Sequence, residues 1–183
     1  VRLCGTFLEE KDIQPRLRDL VDSMYRSIPT GVGATGPLKL KPAEARDVLR
    51  QGSPWAVGQG LGRPGDIDRT EDGGCLPEAD PSEISERALS RGLRQLGTLG
   101  SGNHFMEVGV VDAVYDPAAA DAYGLFKGQV TLMLHSGSRG LGYQVCDDFL
   151  LQMNKNRKKT GVHLPDRQLA CAFIGSELGG RYL

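Results

Sequence analysis

Two histidines, His104 and His135, each stand where an apolar run of the chain meets a glycine-rich turn. The first lies in LGSGNHFME (99–107) and the second in LMLHSGSRGLG (132–142). Turns of this kind present backbone N–H groups to anions, and the second turn adds Arg139, whose guanidinium fork matches phosphate oxygens. An imidazole beside such an anion cradle suits metal-assisted phosphoryl transfer. Two imidazoles are too few to hold a catalytic metal, so we expect part of a site.

The same residues also have purely structural interpretations. Each histidine could cap the end of a strand and hydrogen-bond a carbonyl oxygen, and a glycine-rich turn is often only a tight connection. Two hydroxyl groups, those of Ser136 and Ser138, favour an anion site because they add hydrogen-bond donors. The third histidine, His163, follows a basic helix end, and we expect it to be a solvated loop residue.

The glycine spacing argues against a dinucleotide-binding motif. The pattern G-x-x-G-x-G occurs at 97–102 and again at 137–142, and it is the reverse of the fingerprint G-x-G-x-x-G. That fingerprint must follow a strand, whereas the first of these runs precedes one, so a Rossmann site is disfavoured. The second run lies between a predicted strand and a predicted helix, whose N-terminus could hold a phosphate.

Two predicted strands adjoin the histidines. Residues 105–111 and 129–134 are rich in β-branched and other apolar residues, which favour strands. If these strands pair as antiparallel neighbours, the start of the first lies beside the end of the second. His104 and His135 then lie at the same edge of one sheet, from where both imidazoles could reach one metal ion or a close pair of ions.

Side-chain alternation limits what the first of these strands can offer. His104 and Met106 should point to one side of a strand. Asn103, Phe105 and Glu107 should point to the other side. One face can use all five residues only if the strand is twisted or bulged at its start.

Apolar periodicity and capping residues predict helices around these strands. An amphipathic pattern predicts a helix that starts near Pro15 and ends before Pro29. Asp80 is the expected N-cap of a helix that ends near residue 90, with Gly92 just beyond it. Residues 51–79 show little periodicity and are predicted to form a long irregular segment. Further helices are expected at 42–49, 117–123 and 143–159, and a last one near 165.

Composition narrows the class of protein. Hydrophobic residues make up 39% and charged residues 25% of the chain, which is typical of a globular protein. The net charge of −1 gives no global attraction to nucleic acid, so a polyanion must be bound by a local basic cluster. The chain shows no signal peptide, no membrane span and no C-x-x-C pair, so we expect a cytoplasmic protein.

The predicted elements together give an α+β fold, with a mixed or antiparallel sheet flanked by helices. The chain begins with Val1 and ends with Leu183 in an apparent helical segment without a cap. We therefore expect a single domain that is cut at both ends.

At the two histidine motifs the chain resembles the RtcB family of RNA-splicing ligases. The matching runs are RGLRQLGTLGSGNHF (91–105) and HSGSRGLG (135–142), and weaker similarity extends over the whole chain. The resemblance implies an RtcB-like catalytic domain, incomplete here, of which residues 1–183 are the N-terminal to central part.

Members of this family join RNA 2′,3′-cyclic phosphate or 3′-phosphate ends to 5′-hydroxyl ends. They use GTP and two Mn²⁺ ions, a guanylylated enzyme histidine and a guanylate-activated RNA 3′ end. The resemblance implies that His104 and His135 each bind one of the ions. The implied guanylate site consists of Asn103, His104, Phe105, Met106 and Glu107. The implied RNA phosphate contacts are Arg139, Arg91, Ser136 and Ser138.

The resemblance also implies binding partners, and it shows where this chain departs from the family pattern. The expected partners are RNA substrates such as tRNA halves and an activating protein such as archease, and we expect a monomer without membrane attachment. The family's aspartate and cysteine metal ligands would precede Val1, and its third metal histidine and its guanylylated histidine would follow Leu183. We therefore expect the 183-residue chain alone to be inactive. Tyr143 stands where the family has histidine, which leaves the role of that position open.

Two other functions remain open from the residues alone. A metal-dependent phosphoesterase would combine His104 and His135 with carboxylates of the irregular segment, such as Asp66, Asp68 or Asp72. A non-catalytic RNA-binding fragment is the other possibility. Near-neutral charge and an aromatic content of 6% argue against strong single-strand binding, which relies on basic grooves and stacking.

Overall fold

Residues 1–166 and 169–183 are described by a computed structural model. The chain divides into two units. The first is formed by Val1–Pro37 with Gln95–Arg139, and the second by Leu38–Arg94 with Gly140–Leu183. Strands and helices are both present, so the predicted α+β class is confirmed.

A three-stranded antiparallel sheet forms the centre of the first unit. Its strands are β1 (Arg2–Glu9), β2 (Phe105–Val110) and β3 (Gln129–His135), arranged in the order β1-β3-β2. Both pairings are antiparallel. The predicted antiparallel pairing of these two strands, β2 and β3, is therefore confirmed, and the start of β2 lies opposite the end of β3.

Strand β1 was not predicted from the sequence. Its residues are mostly exposed, and it lacks the regular alternation of apolar and polar residues that marks a half-buried strand. Its pairing with β3 also shifts register between Gly5 and Glu9. The strand is held at one edge of the sheet by pairing with β3, which local sequence cannot reveal.

Buried Gln129 ties the start of β3 to its neighbours. The residue is 2% exposed. Its Nε2 donates to the carbonyl oxygens of Thr6 at 2.7 Å and Gly124 at 3.0 Å, and its Oε1 accepts from the N–H of Phe126 at 3.2 Å. A buried amide is costly unless its hydrogen bonds are made. These three bonds therefore fix β1 and the loop before β3 against the sheet.

The helices confirm several sequence predictions. The predicted helix between Pro15 and Pro29 is observed after a short 3₁₀ turn, Gln14–Arg16. The helix predicted at 117–123 is capped by Asp116, which accepts from two backbone N–H groups. None of the helices in the described residues is both long and apolar enough to cross a membrane. In chain order they are α1 (Glu10–Ile13), α2 (Leu17–Ser27), α3 (Pro42–Gln51), α4 (Ser53–Gly58), α5 (Pro64–Ile67), α6 (Glu86–Leu93), α7 (Pro117–Tyr123), α8 (Arg139–Thr160) and α9 (Glu177–Tyr182).

Helices α6 and α8 approach each other closely in the second unit. A Cβ on Gly92 of α6 would stand 2.7 Å from Cδ1 and 2.9 Å from Cβ of Leu141 in α8. Only glycine permits such an approach without a shift of the neighbour. Buried apolar residues on these two helices and on α3 are Ala45, Ala88, Leu89, Phe149 and Met153.

The helix predicted from Asp80 is divided in two. Asp80 accepts from the backbone at 2.8 Å, but it caps only a 3₁₀ turn, Pro81–Glu83. Helix α6 begins three residues later with Ser85 as its N-cap. Because this second cap moves the helix along the chain, Gly92 lies inside α6 and not beyond its end, which corrects the prediction.

Three other element predictions are corrected. Residues 51–79 are not one irregular segment, because they contain α4, α5 and a 3₁₀ turn at Glu71–Gly74. Helix α8 begins at Arg139, four residues before the predicted start. Residues 165–166 form a bend, residues 167–168 lie outside the described residues, and the last helix, α9, begins only at Glu177 with Ser176 as its N-cap.

Candidate functional site

The imidazoles of His104 and His135 converge at one edge of the sheet. Their ring centroids lie 6.2 Å apart, with the ring planes tilted by 44°. His135 ends β3 and pairs with Phe105, whose ring lies 5.3 Å away in an edge-on arrangement. His104 lies one residue before β2, so strand alternation does not fix the direction of its side chain. The strand pairing therefore brings the two rings together as the sequence predicts.

The turn before β2 requires glycine at position 100. Gly100 has a φ of +119°, a conformation that L side chains rarely adopt. A Cβ at this position would overlap Nδ1 of His104 and Nη1 of Arg139. A distant segment of the chain holds the turn, because the carbonyl oxygen of Gly100 accepts from the N–H of Gly31 at 2.8 Å. Gly100 thus lets the imidazole and the guanidinium lie directly against the backbone.

Arg139 is in direct contact with His104. Its Nη1 lies 2.9 Å from Nδ1 of the imidazole, and its Nε donates to the Thr98 hydroxyl at 3.4 Å. The Thr98 hydroxyl in turn donates to the carbonyl oxygen of Gln95 at 2.6 Å. A guanidinium can only donate, so Nδ1 accepts, and the neutral His104 ring carries its proton on Nε2.

The backbone of Arg139 is also unusual, since its φ is +54°. For a residue other than glycine this conformation costs on the order of 1–3 kcal/mol. The side-chain contacts on His104 and Thr98 help to stabilise it. The guanidinium is consequently held at the edge of the sheet beside the histidine pair.

Ser136 joins the two glycine-rich turns. Its hydroxyl donates to the carbonyl oxygen of Leu99 at 2.6 Å, so this proton is used within the unit and is not offered to an anion. Gly137 and Ser138 are exposed. Of the two serines predicted to contact phosphate, Ser138 lies on the surface of the turn, whereas Ser136 holds the two turns together.

The five residues predicted to line a guanylate site do not all share one face. Phe105 pairs with His135, and cross-strand partners point to the same face of a sheet. Glu107 is two residues further along β2, so it shares that face, whereas Met106 lies on the opposite face. Asn103 is exposed in the preceding turn. The structure therefore groups Phe105 and Glu107 with His135 and separates Met106 from them.

Arg91 belongs to the second unit, where α6 carries it. Its Nη1 donates to Oε1 of Gln144 at 2.7 Å, and its Cζ lies 5.2 Å from the ring centroid of Tyr143. Gln144 is 1% exposed, and its Nε2 donates to the Asp148 carboxylate at 2.8 Å. Gln144 is not among the residues that the sequence singles out. The signal that could have identified it is the spacing of four residues between Gln144 and Asp148 on a predicted helix, which allows their side chains to bond.

The Asp148 carboxylate anchors this chain of hydrogen bonds. Hydrogen bonds from Ser85, at 2.6 Å, and from Gln144 hold the pKa of the Asp148 carboxyl below its ordinary value. Asp148 is therefore ionised at neutral pH. The Ser85 hydroxyl also accepts from the N–H of Ala88 at the start of α6, so the carboxylate connects α8 to the N-cap of α6.

The described residues would supply only some of the ligands that a divalent metal ion needs. Among them, no group of three or more His, Cys, Asp or Glu side chains could hold a metal ion. His104 and His135 would supply two nitrogen donors, whereas Mn²⁺ also favours carboxylate and water oxygens. A neutral imidazole has one lone pair for a ligand bond, and that of His104 faces Arg139. Metal binding at His104 therefore requires Arg139 to release Nδ1.

The structure is an α+β protein with a candidate site for a phosphate and a metal at one end of its antiparallel sheet. The site consists of a histidine pair and an arginine, which lie between glycine-rich turns. The model of the RtcB family, described as tRNA-splicing ligase RtcB, matches residues 1–183. The chain belongs to this family, as its two histidine motifs predict.

Several curated relatives are similar to the whole chain. The tRNA-splicing ligase RtcB of Pyrococcus furiosus is 50% identical over 182 residues, and those of Pyrobaculum aerophilum and Aeropyrum pernix are 47% and 49% identical over 184 and 183 residues. Each alignment covers 100% of this chain. The chain spans 19% of the length of the Pyrococcus furiosus relative and 38% of the other two.

Proposed function

We propose that the protein is an RNA ligase that joins RNA ends bearing a 2′,3′-cyclic phosphate or a 3′-phosphate to 5′-hydroxyl ends, with GTP and Mn²⁺ as cofactors. The observation that carries this proposal is the family match over residues 1–183, which includes the histidine and arginine cluster of the first unit. The relatives are named tRNA-splicing ligase RtcB, and their name supports tRNA halves as substrates. The proposal extends to a monomeric, cytoplasmic enzyme with an archease-type activator and a single catalytic domain.

His104 and His135 are proposed as ligands of the two metal ions, one for each ion. The separation of 6.2 Å between their rings supports this assignment, because neighbouring ions in a two-metal site lie close together. A bound ion would neutralise phosphate charge and orient the attacking and leaving oxygens. The remaining ligands would come from outside residues 1–183.

Arg139 is proposed to couple phosphate binding to the state of His104. A phosphate oxygen gives a guanidinium stronger, charge-assisted hydrogen bonds than a neutral imidazole does. Phosphate binding would therefore draw Arg139 away from Nδ1 of His104 and free that nitrogen. Arg139 would then orient the phosphate, and Ser138 would add a further contact. Arg91, on the second unit, is proposed separately as a contact to RNA phosphate.

The guanylate site is proposed on the face of the sheet that carries His135. Phe105 is 38% exposed there, and its ring could contact the nucleotide. Glu107 and Asn103 offer polar side chains on either side of it. Met106 lies on the opposite face, so it would take part only through its backbone.

The central test is RNA joining by the intact protein and by two histidine variants. With GTP, Mn²⁺ and labelled RNA ends of the stated kind, we expect ligation by the wild type. His135→Ala should reduce the rate by more than about 10²-fold, the loss typical when one charge-stabilising group is removed from an active site. His163→Ala is the matched control, because His163 is an exposed loop residue outside the cluster, and it should ligate normally. Absence of ligation by the wild type, or full activity in His135→Ala, would contradict the proposal.

The 183-residue chain by itself is proposed to be inactive, because the histidine that accepts the guanylate is expected outside it. Incubation of this chain with labelled GTP and Mn²⁺ should leave no covalent label on the polypeptide. A stable label would show that an acceptor residue lies within 1–183.

The phosphoesterase alternative gains no support from the described residues. It needs a carboxylate joined to the two histidines, and no such group of three is found among the described residues. Of the three candidate aspartates, Asp66 accepts from the N–H of Arg63 at 2.8 Å, which is a helix-capping role. We therefore retain the ligase as the proposed function.

A further inference from the structure

Arg91 and Tyr143 form a cation–π pair on the second unit. The guanidinium carbon of Arg91 lies 5.2 Å from the centroid of the Tyr143 ring, within the range of a cation–π contact. The Tyr143 residue is 63% exposed, and Arg91 is exposed as well. Both aromatic surface and charge are therefore accessible at the same point.

The backbone geometry fixes where this pair stands. The close approach of Gly92 to Leu141 brings the end of α6 against the first turn of α8. Arg91 precedes that glycine, and Tyr143 lies two residues beyond that leucine. The two helices therefore set the distance between the two side chains, and this distance does not depend on a flexible loop.

Buried Gln144 fixes the orientation of the guanidinium. Its Oε1 accepts from Nη1 of Arg91 at 2.7 Å, while its Nε2 donates to Asp148 at 2.8 Å. Gln144 is only 1% exposed, so its amide is shielded from bulk water. The arginine is thus held in place before any ligand binds, and little side-chain entropy remains to be lost on binding.

The partner of the guanidinium is a neutral amide and not a carboxylate. Arg91 takes part in none of the ion pairs found among the described residues. The carboxamide of Gln144 lies between Arg91 and the Asp148 carboxylate in this chain of hydrogen bonds. The positive charge of Arg91 therefore stays available to an anion, while one of its N–H groups is used for positioning.

We propose that Arg91 and Tyr143 form a stacking platform for one base of the RNA substrate. This inference rests on the proposed function, since it assumes an RNA ligand. Single-stranded RNA is recognised through bases stacked on aromatic rings or arginine planes, and a phosphate of the same nucleotide is the natural partner for the free edge of the guanidinium. Tyr143 supplies the ring, Arg91 supplies both a plane and a charge, and Gln144 is the positioning residue.

The test compares three substitutions of Tyr143 in the intact protein. Tyr143→Phe keeps the ring, Tyr143→Leu keeps apolar volume without a ring, and Tyr143→Ala removes both. The exposed Tyr115, which is 96% exposed in the first unit, gives the control Tyr115→Ala. The probes are 3′-phosphorylated RNA oligonucleotides in which 2-aminopurine replaces one base at a time, because stacking quenches the fluorescence of that base. The measurements are the RNA dissociation constant, the quenching, the Michaelis constants for RNA and GTP, and the unfolding midpoint.

The expected result separates the ring from its apolar volume. Tyr143→Leu and Tyr143→Ala should weaken RNA binding between about 5-fold and 150-fold, the range that corresponds to ~1–3 kcal/mol for one stacked base. They should also abolish quenching at one RNA position and leave the Michaelis constant for GTP and the unfolding midpoint unchanged. Tyr143→Phe and Tyr115→Ala should bind RNA like the wild type.

Other results would overturn the inference without touching the proposed function. If the wild type ligates RNA and Tyr143→Leu binds it equally well, there is no stacking platform at this position. A rise in the Michaelis constant for GTP with unchanged RNA binding would assign Tyr143 to the nucleotide cofactor and refute the inference. If Tyr143→Phe is as weak as Tyr143→Leu, the hydroxyl and not the ring is responsible. Failure of the wild type to ligate RNA would instead count against the proposed function.

Discussion

Replacement of Gly100 by alanine gives the most direct test of how the candidate site is built. The substitution adds one methyl group at a residue whose φ is +119°. That methyl group would overlap both Nδ1 of His104 and Nη1 of Arg139. The side chains have to separate, so the contact of 2.9 Å between them is lost.

The expected loss of stability has two parts. Backbone strain for a residue other than glycine at this φ costs on the order of 1–3 kcal/mol. Loss of a hydrogen bond that involves a charged group costs about 1.5–3 kcal/mol. Gly100→Ala should therefore lower the free energy of unfolding by about 2.5–6 kcal/mol, which is a large fraction of the stability of a typical domain.

Two nearby glycines serve as matched controls. Gly102 and Gly31 also have positive φ values, +72° and +95°, but a Cβ at either position would meet no heavy atom within 4 Å. Alanine at these positions should cost only the backbone part, on the order of 1–3 kcal/mol. Urea unfolding of the intact protein, followed by circular dichroism, measures all three variants, and RNA joining should be lost in Gly100→Ala alone. Equal destabilisation by Gly100→Ala and Gly102→Ala would refute the steric argument, since the overlap would then contribute nothing.

Two further variants test the helices. Asp116→Ala removes a side chain that accepts from two N–H groups of α7 at 3.0 Å each, and it should lower the free energy of unfolding by about 1 kcal/mol; no change in urea unfolding would mean that water replaces the cap. Asp148→Asn addresses pH dependence. Because the pKa of Asp148 is lowered in the folded state, its carboxylate stabilises the fold above its ordinary pKa, near 4, and this contribution is lost as pH falls through the lowered pKa. The variant should show a flatter decline of the unfolding midpoint as the pH falls below about 4, and an unchanged decline would contradict the assignment.

Local patterns made the centre of the candidate site predictable. Apolar, β-branched strands and glycine-rich turns are short-range signals, and they indicate that His104 and His135 share a sheet edge. Family resemblance then identified the motifs as those of RtcB proteins. Neither source revealed that Arg139 bonds His104, because that contact depends on the positive φ of Arg139 and on the absence of a side chain at Gly100.

Long-range partners account for what the sequence did not reveal. Strand β1 exists because β3 pairs with it, although most of its own residues are exposed. Helix α6 begins where Ser85 provides a second N-cap, so the signal at Asp80 was correct for a capped turn but not for the helix. Gln144 bonds Asp148 within α8, and only the approach of α6 gives its amide a second partner, Arg91.

The contact between Arg139 and His104 makes phosphate and metal binding interdependent. While the guanidinium donates to Nδ1, the imidazole has no lone pair left for a metal ion, because its other nitrogen carries the proton. A phosphate that attracts the guanidinium removes this obstacle. By linkage, a metal ion that occupies His104 must favour phosphate binding at Arg139 by the same factor. Manganese affinity of the intact protein, measured with and without a 3′-phosphorylated RNA, should therefore differ in the wild type and be equal in Arg139→Ala, whose His104 is free in both cases. An equal RNA effect in both proteins would show that the arginine is not the connecting residue.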